Sequence, residues 1–328
     1  MLKDEFRTLD LFAGVGGIRI GFENAGFNTI FANDNNRKCK LTYDLNFKEP
    51  KLLVKDIWKI YIKEIPDFDI LLAGFPCQAF SIAGNQIGFK DEKTGGNLFF
   101  KIAQILTIKK PRAFMLENVK NLKSHYKGHT FKVIKNTLEK LGYHIKAEVL
   151  NSMTHGNIPQ NRERIFIVGF WDKNKAEAFE FPEEIPLTRS FKEFVFDETE
   201  EKYYYNDKPL YERIKDDINS EDTVYQWRRR YVRANKRGVV PTLTANMGTG
   251  GHNVPIIKNG KGIRKLTPQE CFWLQGFPKD FKLPHIADSY LYQQAGNSVT
   301  VPVVERIAVN IKNVLEGKKI NEKMELIA

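Results

Sequence analysis

The run FDILLAGFPCQAFSIAG places Cys77 behind Pro76, just past the carboxyl end of a strongly apolar, strand-like segment. That edge of an open α/β sheet is where such folds bind ligands. Without this setting a cysteine is more often a small buried hydrophobe than a nucleophile. Here Pro and Gln flank it and a small, polar loop follows, so a thiol exposed in a cleft is the reading preferred. A thiolate adding to C6 of a cytosine ring creates an enamine whose C5 accepts a methyl group. Loss of the C5 proton and elimination of the thiolate then restore aromaticity. Addition leaves negative charge on the ring, which calls for a proton donor or hydrogen-bond partner at N3 and a cation or donor near O2. Glu117, in RAFMLENV, ends another strand-like run, and Arg162 and Arg164, in QNRERIFIVGF, open the last run of the series. Taken without Cys77, they read equally as a surface carboxylate and as two solvated or phosphate-binding arginines.

Such chemistry needs a methyl donor. DLFAGVGGIRIGFENAG sets Gly14, Gly16 and Gly17 directly after a strand and before a helix, where glycine permits positive φ and close backbone approach to a ligand. The spacing is not the Gly-x-Gly-x-x-Gly of a dinucleotide fingerprint. Asp34, ending the second strand-like run, suits two ribose hydroxyls, and Asp56, after LLV, suits an adenine amino group. A second carboxylate in place of phosphate-binding features favours a cofactor without pyrophosphate, and S-adenosylmethionine fits. A tight turn and two solvated loop acids would look the same one residue at a time.

The elements that must position these residues alternate. From Arg7 to Phe170, short β-like runs (RTLDLFA, NTIFAND, FDILLAGF, RAFMLENV, RIFIVGF) interleave with segments of helical period, which predicts an α/β fold with a largely parallel sheet covered by helices. After Trp171 the pattern breaks: residues 197–222 hold ten acidic side chains against four basic ones. Then come QWRRRYVRANKR, with six Arg or Lys and no acid, and PTLTANMGTGGHNVP. Order returns at RKLTPQECFWLQGFP, followed by a helix whose Val303, Val304, Ile307, Ala308, Ile311, Val314 and Leu315 share one face. The expected division is discontinuous: 1–170 plus 264–328 as the catalytic and cofactor-binding domain, 171–263 as a smaller lobe.

The 328 residues suit one large domain and one smaller. A formal net charge of +11 points to a polyanionic partner, nucleic acid first. No apolar stretch reaches the roughly 18 residues of a membrane span, and MLKDEFR is unlike a signal peptide, so a cytoplasmic protein is expected. Cys39, Cys77 and Cys271 are widely spaced with no Cys-x-x-Cys, suggesting neither disulfides nor a metal site.

With DLFAGVGG, GFPCQAFS, ENV, QNRERIF, RKLTPQECFWLQGFP and QAGNSVTVPV in order, nearly the whole chain resembles the DNA (cytosine-5)-methyltransferases of bacterial restriction-modification systems. The resemblance implies a Rossmann-like S-adenosylmethionine-dependent methyltransferase domain with a smaller, irregular target-recognition domain. It implies that Cys77 is the C6 nucleophile, that Glu117 engages N3 and the amino group, and that Arg164, helped by Arg162, contacts O2. Phe12, Ala13, Gly14, Gly16 and Gly17 would line the cofactor pocket, with Asp34 and Asn35 at the ribose, Asp56 and Ile57 at the adenine, and Pro76 and Asn297 shaping the site; the product would be S-adenosylhomocysteine. Two departures stand out. Asn35 replaces the aromatic residue of many relatives, and SIAG lacks a second serine found in some, which bears on Ser81 as a contact to the flipped nucleotide.

The partner implied is double-stranded DNA, bound by a monomer that pairs functionally with a cognate restriction endonuclease. Arg228, Arg229, Arg230, Arg233 and Arg237 would contact phosphates or guanine edges, while Thr244, Asn246, Gly250 and Gly251 allow close approach. This lobe resembles those of members that modify CC…GG sites. Two rivals remain: a transfer-RNA cytosine-5-methyltransferase with the same pocket, and a catalytically silent DNA-binding regulator.

Overall fold

The computed structural model describes residues 5–76, 98–249 and 253–318. Its large sheet is built from β1 (Arg7–Leu11), β2 (Asn28–Asp34), β3 (Leu53–Val54), β4 (Ile70–Gly74), β5 (Ala113–Val119), β6 (His144–Asn151) and, beyond the two-residue β7 (Gln160–Asn161), β8 (Glu163–Phe170). The strand order is β3-β2-β1-β4-β5-β8-β6. The first five strands in that order run parallel. β8 runs antiparallel to both of its neighbours. The chain has the expected α/β, Rossmann-like architecture, with this reversed strand as its departure from a fully parallel series.

Burial on both faces explains the near-continuous apolar runs. Leu71, Ala73, Phe114, Leu116, Ile165 and Ile167 point into one core, covered by α3 (Leu98–Lys109) and α4 (His129–Lys140). The alternate residues Ile70, Leu72, Met115, Phe166 and Val168 point into the other. That second face is covered by α1 (Gly17–Asn24), by α6 (Lys173–Ala178) and by α10 (Val301–Leu315). α10 buries the stripe read from the sequence, and it lies so close to α1 that a Cβ on Gly21 would stand 2.7 Å from Val304 Cγ1. Between these come α2 (Arg37–Asn46), capped by Asn36, and the single turn α5 (Ser152–Gly156), capped by Asn151.

The segment after Trp171 contains more order than its composition suggests. Following the short α7 (Tyr211–Ile214), the strands β9 (Val224–Trp227), β10 (Val232–Asn235), β12 (Ile256–Asn259) and β13 (Gly262–Lys265) form a second sheet in the order β10-β9-β12-β13. The acid-rich stretch packs on it through Tyr205, Ile214 and Ile218 against Tyr225, Trp227, Ile256 and Ile263. β11 (Val240–Pro241) leaves that sheet to pair in parallel with β7. A further core joins Leu243, Met247 and Leu266 to α8 (Pro268–Trp273), to α9 (Asp288–Asn297) and to Ala13 and Val15. The first turn of α8 is fixed by a capping box between Thr267 and Glu270.

Candidate active site

The carboxyl ends of β1, β2, β4 and β5, together with the loop after β3, open onto one cavity of about 530 Å³. That volume is within the range of small-molecule sites. Phe12 to Val15, with Gly17, form its floor; Asp34 to Asn36 and Lys55 to Ile57 line one end. Gly74 to Pro76, Glu117 to Val119, Arg162 and Arg164 line the other, and Gln294 with Gly296 to Val299 close it from the end of α9 and the residues just after it.

The glycine loop is held from below. Asp34 accepts the Gly14 N–H at Oδ2 (2.9 Å) and the Asn36 N–H at Oδ1 (2.8 Å). Gly14 has φ +55°, and a Cβ there would meet nothing closer than 4.0 Å among the described residues, which leaves its face open toward the cavity. Gly17 differs: a Cβ would stand 2.6 Å from Ser298 Oγ, so glycine is needed there for packing. Asp56 caps the turn at Ile57 by accepting the Trp58 N–H (3.0 Å). Each of these carboxylates keeps acceptor capacity beyond its backbone bonds. A glycine floor open on one face, with two such acids at one end, fits a nucleoside cofactor bearing an amino-acid arm.

At the other end Arg164 Nε lies 3.1 Å from Glu117 Oε1, both side chains being largely buried. Burial pushes the Glu117 carboxyl above its ordinary range, and Arg164 and Arg162 pull it back. Burial raises Asp34 as well, against the lowering effect of N–H groups from Asn36, Gly14 and Asn35.

Of the residues singled out from sequence, Phe12, Ala13, Gly14, Gly17, Asp34, Asn35, Asp56, Ile57, Pro76, Glu117, Arg162, Arg164 and Asn297 meet around this cavity. Gly16 does not line it. It is the left-handed N-cap of α1 (φ +86°), and a Cβ there would collide with the Phe47 ring. Cys77, Ser81, Gly250 and Gly251 lie outside the described residues; Pro76, which precedes Cys77 in the chain, is on the cavity wall. Arg228, Arg229, Arg230, Arg233 and Arg237 are exposed on and beside the β9–β10 hairpin, and Thr244 and Asn246 are exposed in the turn after β11.

Sequence reasoning passed over the amides that brace the site. Asn33 Nδ2 donates to Leu53 O and Lys55 O (both 2.8 Å), fixing the strand end that carries Asp56. Asn118 Nδ2 donates to Phe75 O (2.8 Å), tying the end of β5 to that of β4. Gln160 and Gln294, both buried, do comparable work from β7 and α9. The one signal available was their place, at the carboxyl end of an apolar run or within a quoted motif.

A family model described as C-5 cytosine-specific DNA methylase matches residues 6–313. The chain belongs to the C-5 cytosine-specific DNA methylases. It is 54% identical over 306 residues to the Type II methyltransferase M.Bsp6I of Bacillus sp. strain RFL6, covering 92% of this chain and 96% of that one. It is 38% identical to the Type II methyltransferase M.HhaI of Haemophilus parahaemolyticus, with 95% and 96% covered. Among solved structures, a mutant of Spodoptera frugiperda DNMT2 shares the methylase fold with a TM-score of 0.72 at 19% identity, covering 94% of this chain and all of that one. As a member of this family the chain is a DNA (cytosine-5)-methyltransferase. Among the described residues of this methylase no helix is long and apolar enough to cross a membrane, and no group of three or more His, Cys, Asp or Glu is placed to hold a metal ion.

Proposed function

We propose that this methylase binds S-adenosylmethionine in the cavity beneath the glycine loop and methylates C5 of a cytosine rotated out of duplex DNA into its other end. The observation that carries the reading is the sharing of one cavity by the Asp34–Asp56 end and the Glu117–Arg164 pair. The cofactor, when bound, supplies an electrophilic methyl group. Asp34 and Asn35 hold its ribose, Asp56 and Ile57 its adenine, and Phe12, Ala13, Gly14 and Gly17 the remainder, with Pro76 and Asn297 on the walls.

Cys77 attacks C6. Glu117, whose burial favours the protonated acid, donates to N3 and orients the amino group, and Arg164 offers its positive charge near O2 as the ring gains electrons. Rotating the base out costs a few kcal/mol. The lobe formed by 171–263 offsets this by gripping the duplex: the arginines of the β9–β10 hairpin contact phosphates or guanine edges, and Thr244, Asn246, Gly250 and Gly251 contribute small polar contacts, to which Ser81 adds one from the catalytic unit. Residues 1–170 and 264–328 form the catalytic unit. The chain works as a monomer on a CC…GG-type site, protecting host DNA in a restriction-modification system alongside a cognate endonuclease.

Bisulfite sequencing of plasmid DNA from cells expressing the chain identifies the modified cytosine, and protection against a panel of restriction enzymes tests the CC…GG assignment. DNA carrying 5-fluorocytosine at that position becomes covalently attached to Cys77 in the presence of cofactor, because fluorine does not leave as a proton does. Cys77→Ala abolishes transfer and retains DNA affinity; turnover by that variant would overturn the covalent route.

A further inference from the structure

The side chain of Arg162 is buried at 2% exposure and its guanidinium is already spoken for. Nη1 donates to Leu243 O at 2.7 Å; Nη2 donates to Gly296 O at 3.1 Å and also to Ser298 O. Its Nε is buried without a hydrogen-bond partner among the described residues. The acceptors belong to two separate segments. Leu243 follows β11, where the chain leaves the small sheet, and Gly296 and Ser298 flank Asn297 on the cavity wall.

Gln160, two residues before Arg162, completes the arrangement. Its Oε1 accepts the Leu243 N–H at 3.1 Å, and its Nε2 donates to Leu274 O at 2.7 Å. Both backbone polar groups of Leu243 are therefore held by side chains of one short strand and its extension. The same contact is sealed by glycine: a Cβ on Gly296 would collide with the Thr244 backbone, and one on Gly248 with Ser289 O.

We propose that Arg162 is a positioning residue that locks the recognition lobe's Leu243 to the Gly296–Ser298 turn, so that seating DNA against residues 244–249 sets the position of Asn297 in the cavity. This rests on the reading of the cavity given above and is offered in place of the expectation that Arg162 assists at O2. To reach a base through either Nη it would have to abandon carbonyls that have no other charged donor among the described residues, at the cost of leaving buried acceptors unsatisfied. Arg164 has no such obligation to the recognition lobe: its Nε faces Glu117 and its Nη1 donates to Glu163 O.

The test compares the full-length wild type with Arg162→Met, which keeps the side-chain stem without donors, and Arg162→Lys, which can serve one carbonyl. In the DNA-free protein, hydrogen exchange across 240–249 rises at least tenfold in Arg162→Met and less in Arg162→Lys, while exchange across Ile70–Gly74 is unchanged. On duplexes carrying the site that the wild type methylates, kcat falls more than KM for DNA, and discrimination against single-pair variants of that site shrinks at least tenfold, with partial recovery in Arg162→Lys. Unchanged exchange with intact discrimination would return Arg162 to the base. Faster exchange with intact discrimination would reduce it to a structural brace. Should Arg162→Met fail to fold, Gln160→Leu, which frees only the Leu243 N–H, carries the same two measurements. A wild type that methylates no cytosine would remove the reading of the cavity, whereas the exchange arm would still decide whether Arg162 holds Leu243.

Discussion

Glu117 and Arg164 meet at 3.1 Å because their strands run in opposite directions. Glu117 stands near the carboxyl end of β5, and Arg164 is the second residue of β8, in register with Val119. In a parallel sheet the start of β8 would lie at the far edge, about a strand length from Glu117. The reversal places a half-buried cation beside a buried acid on the wall of the cavity.

Removing that cation has two consequences. If Arg164 acts near O2 as proposed, Arg164→Met takes away a charged donor near the developing ring charge, an effect expected to lower kcat by about 10² to 10³. It also takes away the main influence that restrains Glu117, whose carboxyl burial already raises. Activity that depends on protonated Glu117 falls as pH rises through its pKa. The descending limb of the kcat/KM profile therefore moves to higher pH in Arg164→Met, and a limb unmoved or moved downward would contradict the assigned role.

Asp10, in β1 beneath the glycine loop, is fully buried with both carboxylate oxygens lacking a hydrogen-bond partner among the described residues, and burial pushes its pKa from 3.8 up to about 8. Between those values the unfolded chain is ionised while the folded chain retains the proton, so stability falls as pH rises through that window and levels off above it. The wild-type Tm should drop between pH 5 and pH 8.5 by roughly 5 °C more than that of Asp10→Asn, whose site has no charge to expel. Thermal unfolding at the two pH values gives the answer.

Arg264 and Glu270 form an ion pair with no exposed side-chain surface, Nη2 to Oε1 2.7 Å, and Glu270 also receives the N–H groups of Thr267 and Phe196. Glu270→Ala leaves a charge and two N–H groups without their acceptor, an outcome expected to cost about 3 to 5 kcal/mol. Urea denaturation should show it as a lower midpoint. Replacing both partners by apolar residues should cost less, because no orphaned charge remains.

Arg228, Arg230 and Arg233 are exposed on the β9–β10 hairpin. An arginine that contacts phosphate weakens binding to all sequences alike when replaced by Gln, and lowers the slope of log affinity against log salt by about one. One that reads a guanine edge instead relaxes preference at a single base pair, by about 1 to 3 kcal/mol. Affinity measured over a range of salt on cognate and altered duplexes separates the two; no change in either would mark a solvated side chain.

Most of the large sheet was legible because buried strands such as ILLAG and AFMLENV are apolar throughout, and because the stripe of α10 keeps helical period. β6, HIKAEVLN, was not. As an edge strand it alternates charged and apolar residues and buries little beyond Leu150. Missing it hid the reversal of β8, since β6 is the extra crossing after which the chain must turn back. Arg162 and Arg164 were thus expected at the right edge of the sheet without the topology that puts them there. The small sheet was obscured for a different reason: its strands are four residues long, and its core draws Tyr205, Ile214 and Ile218 from a stretch whose acids dominate the pattern. The bracing amides were illegible because an Asn or Gln that satisfies a distant carbonyl looks the same in sequence as one that faces water.

The close approach of α10 to α1 at Gly21 also orders events in time. Residues 301–315 leave the ribosome after every residue of the cavity, and until they do, Phe22 and the strand face beneath it have no cover from Val303, Val304 and Ile307. A growing chain therefore holds all the residues that line the cavity before it holds the helix that covers this face of the sheet. A fragment stopping at residue 300 is therefore expected to be recovered as an aggregate instead of an active enzyme, which expression and sedimentation of that fragment would check.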